Sequence, residues 1–243
     1  MLSAVHRAAA VGFARCAAAY ERGRPGYPDE AVDRLAAALP GRQVVDLAAG
    51  TGKLTRALVA RGLDVIAVEP VAEMRAEIAP PARSLGGTAE AIPLPDDSAD
   101  AVTVAQAFHW FDGGRALREI HRLLRPGGVL ALIWNRRDMR DALQQRITAL
   151  LEPHRRGVPA HRDGTWRDAF AAGALFGPLR EETFASEPIL DADGLADRFG
   201  SISFVAALGD GERAALLEEI RALAGDGTVV LPYVVELALA VRR

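Results

Sequence analysis

The chain has 243 residues, 50% hydrophobic and 25% charged, with a formal net charge of −3. These are globular values for one large domain or two small ones, and they exclude disordered, collagenous and coiled-coil classes. The slightly acidic balance argues against a dedicated nucleic-acid binder, and the single cysteine, Cys16, excludes an internal disulfide and a cysteine zinc site.

In chain order, Leu2, Val5, Ala9, Phe13, Cys16 and Tyr20 recur at spacings of three and four and predict an amphipathic helix. Arg7 and Arg15 bracket too short an apolar core for a signal peptide. No stretch of 18 apolar residues is free of charge, so no membrane span is expected and the protein is placed in the cytoplasm. Pro28 with Asp29 and Glu30 opens a second helix, whose buried stripe is Val32, Leu35, Ala36 and Leu39 and which Pro40-Gly41 stops. Strands are predicted over Val44–Ala48, Asp64–Val68, Ser84–Gly87, Ala101–Ala105 and Val129–Trp134. Helices are predicted over Leu54–Ala60, Val71–Ile78 and Gly114–Leu124. Apolar runs alternating with helices are the pattern of a parallel sheet covered on both faces. Further on, Asp138–Leu151 reads as helix, and residues 152–178 carry no periodicity. Arg180–Ser186 reads as strand, short helices surround Leu195, Phe204 and Glu212–Leu223, and Val229–Val241 reads as a final strand.

The most informative segment is Val44-Val45-Asp46-Leu47-Ala48-Ala49-Gly50-Thr51-Gly52-Lys53-Leu54. Strand, small-residue turn and helix follow one another, so a ligand can approach the backbone and the helix N-terminus. A phosphate-binding P-loop is excluded, because Leu54 follows Lys53 and Leu47 stands where the first glycine belongs. A dinucleotide Gly-x-Gly-x-x-Gly fails in both possible frames. An S-adenosylmethionine (SAM) loop, an acid followed by Gly-x-Gly-x-Gly, fits with Ala48 in the first glycine place. A second acid, Glu69 of Val65-Ile66-Ala67-Val68-Glu69-Pro70, ends the second strand, where it can accept two ribose hydroxyls. Glu69 is expected to face a wet crevice, so that its removal costs binding and little stability. His6, His121, His154 and His161 show no metal spacing, and no metal site is inferred.

With these motifs the sequence resembles the class I SAM-dependent methyltransferases. The resemblance includes Gly87-Thr88-Ala89-Glu90-Ala91-Ile92-Pro93-Leu94-Pro95-Asp96, Ala105-Gln106-Ala107-Phe108-His109-Trp110-Phe111 and Leu124-Arg125-Pro126-Gly127-Gly128-Val129-Leu130. Tyr20-Glu21-Arg22-Gly23-Arg24-Pro25-Gly26-Tyr27-Pro28 and the His109-Trp110 pair look like the trans-aconitate methyltransferase-like branch. The resemblance implies an α/β fold with a seven-stranded Rossmann-like sheet, order 3-2-1-4-5-7-6 with strand 7 antiparallel, and a helical lid. It implies one methyltransferase domain over residues 1–243: a lid segment 1–27, a SAM-binding core 28–136, and acceptor and lid helices with the last two strands over 137–243.

The resemblance also implies a division of labour in the site. Asp46 would act near the cofactor's ammonium group, directly or through water and loop N–H groups, and Arg24 is a candidate partner for the cofactor's carboxylate, with Tyr20 beside it. Ala48, Gly50, Thr51, Gly52, Glu69 and Pro70 would line the cofactor. Met74 would pack on the adenine or simply in the core. Ala89, Glu90 and Ala91 would flank the adenine edge, and Gln106 and Ala107 would lie under the methionine chain. His109 is either a base or hydrogen-bond partner for the acceptor or an orienting residue for Trp110. Phe108, Trp110 and Phe111 wall a pocket or belong to the core, and Tyr27 and Asn135 complete the acceptor site. The implied activity is methyl transfer from SAM to a small molecule, leaving S-adenosylhomocysteine (SAH). A carboxylate and an aromatic or heteroaromatic C, N or O stay open as the acceptor atom. The alternative is a SAM-binding fold that regulates or binds without transfer. No nucleic-acid or membrane partner is expected, and the protein would be a monomer or homodimer.

Overall fold

The computed structural model describes residues 23–155, 163–171, 173 and 175–243. The N-terminal helix expected around Leu2–Tyr20, and Tyr20 with it, lies outside the described residues. The chain divides into two compact units. The first holds Tyr27–Asn135, residues 163–184 and Val235–Arg243; the second holds residues 23–26, 136–155 and 185–234.

The first unit is built on the sheet. Pro28, extended at φ −63°, serves as N-cap of α1 (Asp29–Ala38), and two acids fill the first turn, where they complement the helix dipole. Then β1 (Gln43–Leu47), α2 (Lys53–Ala60), β2 (Asp64–Val68), α3 (Ala72–Arg75), β3 (Arg83–Leu85), β4 (Ala99–Ala105), α4 (Gly113–Leu123) and β5 (Leu124–Arg137) alternate. Strands β1 to β5 pair in parallel. With β6 (Arg180–Ser186) and a C-terminal strand, Tyr233–Val241, they form one seven-stranded sheet. The C-terminal strand lies between β5 and β6, the place expected of strand 7.

Side-chain alternation distributes the core to the two faces. Along β5, Val129, Ala131 and Ile133 join Val44, Leu54, Leu58, Val32 and Leu35 in one cluster. Leu130, Leu132 and Trp134 join Val45, Leu47, Val102, Val104 and Ile120 in the other. Each fully buried Leu, Ile or Val contributes about 1.5–3 kcal/mol of transfer free energy.

Several predicted spans change. The helix expected over Val71–Ile78 closes after Arg75; the amides of Glu77 and Ile78 bond three residues back, to Met74 and Arg75. Pro80 keeps the helix from resuming, since Ala79 before it is pushed out of the helical region. The fifth strand begins at Leu124 rather than Val129, because Arg125–Gly128 bulge between the pairs Ala99–Leu124 and Ala101–Val129. The strand expected over Val229–Val241 is broken at Leu231-Pro232. Proline has no N–H for a ladder, and the segment before it pairs elsewhere.

That pairing belongs to the second unit, where β7 (Ile189–Asp191) and β8 (Thr228–Val230) form an antiparallel ribbon. Around it stand α5 (Ala142–Leu151), α6 (Ala192–Gly200), α7 (Ser203–Ala206) and α8 (Asp210–Ala222). Helix α5 starts four residues later than predicted because Asp141 caps it, accepting from the Gln144 amide at 2.8 Å. Ile147, Leu151, Leu195, Phe199, Leu216, Ile220 and Tyr233 make this unit's core. Tyr233 begins the C-terminal strand, β9 (Tyr233–Val241).

Candidate functional site

The carboxyl ends of β1, β2 and β4 carry the site, as expected for an open parallel sheet. The turn after β1 is held in left-handed backbone: Ala48 at φ 55°, Gly50 at 59° and Gly52 at 82°. Gly52 closes a turn onto the Ala49 carbonyl and is the N-cap of α2, with no side chain capping that helix. A Cβ at Gly52 would stand 3.2 Å from Ile78 Cγ1 in addition to its unfavourable φ.

Glu69 does not face a wet crevice; it is 4% exposed. Its Oε2 accepts from the Gly50 amide at 2.9 Å and its Oε1 from the Val71 amide at 2.8 Å. Arg75 Nη1 holds the Glu69 carbonyl at 2.7 Å. Burial pushes the Glu69 carboxyl above its ordinary range, and the Asp46 charge adds to that. The two amides and Arg75 pull the other way. Glu69 therefore clasps the glycine loop from the neighbouring strand. Each oxygen keeps a lone pair beyond its backbone bond, which is what a pair of ribose hydroxyls needs.

Asp46 is fully buried. In register it stands opposite Thr103 of β4, and by alternation both fall on the face covered by α1 and α2. Thr55 of α2 donates to its Oδ2 at 2.5 Å and Thr103 to its Oδ1 at 2.9 Å. Burial raises the carboxyl from 3.8 to about 6, against the two hydroxyl bonds. Asp46 is thereby a buried anchor between sheet and helix, behind the glycine loop. Arg24, the candidate partner for the cofactor's carboxylate, donates from Nη2 to the Ser201 carbonyl at 3.2 Å.

Past β4, Gln106 is again left-handed, at φ 59°, and its amide continues the ladder to the Ile133 carbonyl. A short 3-10 turn, Phe108–Trp110, follows. Glu90 receives the Asp112 amide at 3.0 Å, and Asp112 in turn caps α4. The Ile92 amide donates to Glu119 of α4 at 3.1 Å. The segment containing Ala89, Glu90 and Ala91 is thereby fixed to the loop after β4. Ala89 is buried and Ala91 exposed.

Two alternatives that the sequence leaves open are narrowed. Phe108 is 1% exposed and packs edge-on against Phe111 and Trp166, 5.5 and 6.2 Å between centroids, so it is core and not an acceptor wall. Met74 is likewise buried among core side chains. His109 and Trp110 are half-buried with rings 5.2 Å apart, and Tyr27, Ala107 and Asn135 are half-buried too. Thr51 is buried and Pro70 exposed. Sequence reasoning missed Thr55, Thr103 and Arg75. A signal for Thr103 existed, since it is the one hydroxyl in the run Ala101–Ala105. Among the described residues no three His, Cys, Asp or Glu gather as a metal site. No described helix is long and apolar enough to cross a membrane.

Comparison with known proteins agrees with this geometry. A methyltransferase-domain family matches residues 45–132, from β1 to β5. A Mycobacterium bovis protein described as an uncharacterized methyltransferase is 42% identical over 235 residues, 92% of this chain and 93% of its own. A methyltransferase-like protein of Schizosaccharomyces pombe is 33% identical over 212 residues, covering 84% and 82%. The solved structure of a putative type II methyltransferase from Anaeromyxobacter dehalogenans superposes with a TM-score of 0.64 at 26% identity, covering 90% of this chain and 96% of that one. This chain belongs to the class I SAM-dependent methyltransferases. SAM is the methyl donor and SAH the product.

Proposed function

We propose that this methyltransferase acts on a small-molecule acceptor, in the manner of the trans-aconitate methyltransferase-like branch. The clasp of Glu69 on the Gly50 amide carries the reading, because it fixes a ribose acceptor and a glycine loop in one rigid piece. Ala48, Gly50, Thr51, Gly52, Glu69 and Pro70 bind the donor. Ala89, Glu90 and Ala91 flank its adenine, Gln106 and Ala107 underlie its amino-acid chain, and Asp46 positions the loop from behind. Bound SAM supplies a methyl carbon already activated by a positive sulfur. The protein's own work is then alignment and exclusion of water, effects able to supply several kcal/mol, up to ~7–11 in ideal cases.

His109 and Trp110 stand where an acceptor is received, with Tyr27 and Asn135. His109 holds the acceptor by a hydrogen bond or takes its proton, and a carboxylate acceptor needs no base. The net charge of −3 favours a small molecule over nucleic acid. The protein is proposed to work in the cytoplasm, as a monomer or homodimer.

Calorimetry with SAH and NAD, followed by release of SAH from SAM in the presence of candidate acceptors, tests the reading. SAH binding in the micromolar range, no heat with NAD, and turnover lost in His109→Ala are expected. Binding of SAH without turnover on any carboxylate, phenol or amine would favour a regulatory SAM-binding module instead.

A further inference from the structure

Arg75 ends the short helix α3, six residues past Glu69. Its amide bonds the Val71 carbonyl at 3.0 Å, and its side chain runs back to the Glu69 carbonyl at 2.7 Å. The pairing of β2 with β3 ends at Val68 and Leu85, and the Glu69 amide still reaches the Leu85 carbonyl at 3.0 Å. The Glu69 carbonyl lies past that pairing, and Arg75 supplies its donor. With the carboxylate on the Gly50 and Val71 amides, Glu69 is held at its backbone and at its charged end.

The guanidinium lies against the end of β3. A Cβ at Gly86 would stand 3.3 Å from Nη1 and 3.5 Å from Cζ, so the bare glycine leaves the room in which the fork sits. Arg75 is half-buried and, among the described residues, forms no ion pair with a carboxylate. A guanidinium keeps its charge at any working pH. Two charged side chains act on Glu69: Asp46 of β1 disfavours its ionised form, and Arg75 of α3 favours it. The ionised form is the one with two charged acceptor oxygens for a pair of hydroxyls.

We propose that Arg75 is a positioning residue for the methyl donor, which fixes the backbone of Glu69 and supplies the counter-charge that keeps its carboxylate ready for the ribose. It acts through Glu69 and not on the methyl group. A charged donor makes the stronger kind of bond to the carbonyl, and the same charge acts on the carboxylate through space. A neutral donor of equal length would supply the first effect without the second. The proposal rests on the reading of Glu69 as the ribose acceptor.

The test is calorimetry with SAH on the full chain, from about pH 8 down to about pH 5.5, across the range in which a buried carboxyl takes up its proton. Arg75→Met should bind SAH about fivefold more weakly at the upper end, the effect of one net hydrogen bond. Its deficit against wild type should widen as pH falls, because the carboxylate without its counter-charge is protonated at a higher pH. Arg75→Lys should recover part of the affinity and narrow the widening. In Glu69→Gln, which cannot titrate, adding Arg75→Met should cost less than about twofold. If Arg75→Met does not fold, Arg75→Gln, which keeps a donor without the charge, decides by the same widening. Wild-type affinity in Arg75→Met, a deficit constant with pH, or an equal cost with and without the Glu69 carboxylate overturns the proposal. With Glu69→Gln itself weakened, those results leave the ribose reading standing. SAH bound by Glu69→Gln as tightly as by wild type overturns the ribose reading and this proposal together.

Discussion

Ala48 occupies a left-handed position where a glycine would be unstrained. An L-residue there costs roughly 1–2 kcal/mol, partly offset because alanine restricts the unfolded chain. Ala48→Gly should raise unfolding free energy by about 0.5–1 kcal/mol, read as a higher urea midpoint at unchanged slope. Glu69 behaves oppositely. Removing its carboxylate leaves the buried Gly50 amide and the Val71 amide without acceptors, at about 1–3 kcal/mol each. Glu69→Ala should therefore lose about 2–4 kcal/mol of stability as well as SAH affinity, and Glu69→Gln should fall between it and wild type in both. Calorimetry paired with urea unfolding separates the two losses. Spacing located Glu69 at the strand end; it could not show that the carboxylate turns back onto the loop, because that depends on the depth at which β2 and β3 bury it.

At the scale of elements, the loop after β4 presents two kinds of aromatic residue in one short turn. Phe108 turns into the cluster of Phe111, Trp166 and Phe170, while His109 and Trp110 remain half-buried. Phe108→Ala should cost about 3–5 kcal/mol in unfolding free energy, as a large aromatic removed from a core. Trp110→Ala should cost less than about 1 kcal/mol and act on turnover instead. Equal stability losses in the two variants would mean that the turn is packed differently. Three neighbouring aromatics are indistinguishable by composition; only the partners from residues 166–176, far along the chain and without periodicity, divide core from site. The same reasoning explains the broken C-terminal strand. A stretch of thirteen residues, apolar but for Glu236, reads as one element, and Pro232 lets its first part pair with β7 instead.

For the molecule as a whole, the buried acids of the site make a contribution of definite sign to the dependence of stability on pH. The carboxyl of Asp46 lies at about 6 in the folded protein against 3.8 as a free side chain. A folded-state value raised above the unfolded one means that the protonated acid is the better-tolerated form. The contribution is fully present below about pH 4 and is lost as pH rises through about 6. The span corresponds to about 3 kcal/mol on the scale of 1.36 kcal/mol per unit. Glu69 is displaced in the same direction. Asp46→Asn should gain stability relative to wild type as pH is raised from 4 to 8. A gap between the two unfolding curves that is flat or narrows with pH would contradict the burial of this charge.

The alternation of apolar runs, the glycine loop and the acid at the end of β2 were determined by sequence alone, because each rests on local spacing: period two in strands, small residues in a tight turn, an acid at a strand end. Those features sufficed for the order of seven strands once the resemblance was drawn, and for the donor. Tertiary structure decided the rest. It turned Asp46 onto Thr55 and Thr103, which lie 9 and 57 residues away. It closed Glu69 on Gly50, 19 residues back, and buried Arg198 against Tyr233, 35 residues on. Hydrogen bonds and desolvation depend on which surfaces meet in space, and a side chain's charge state and role follow from that meeting rather than from its place in the chain.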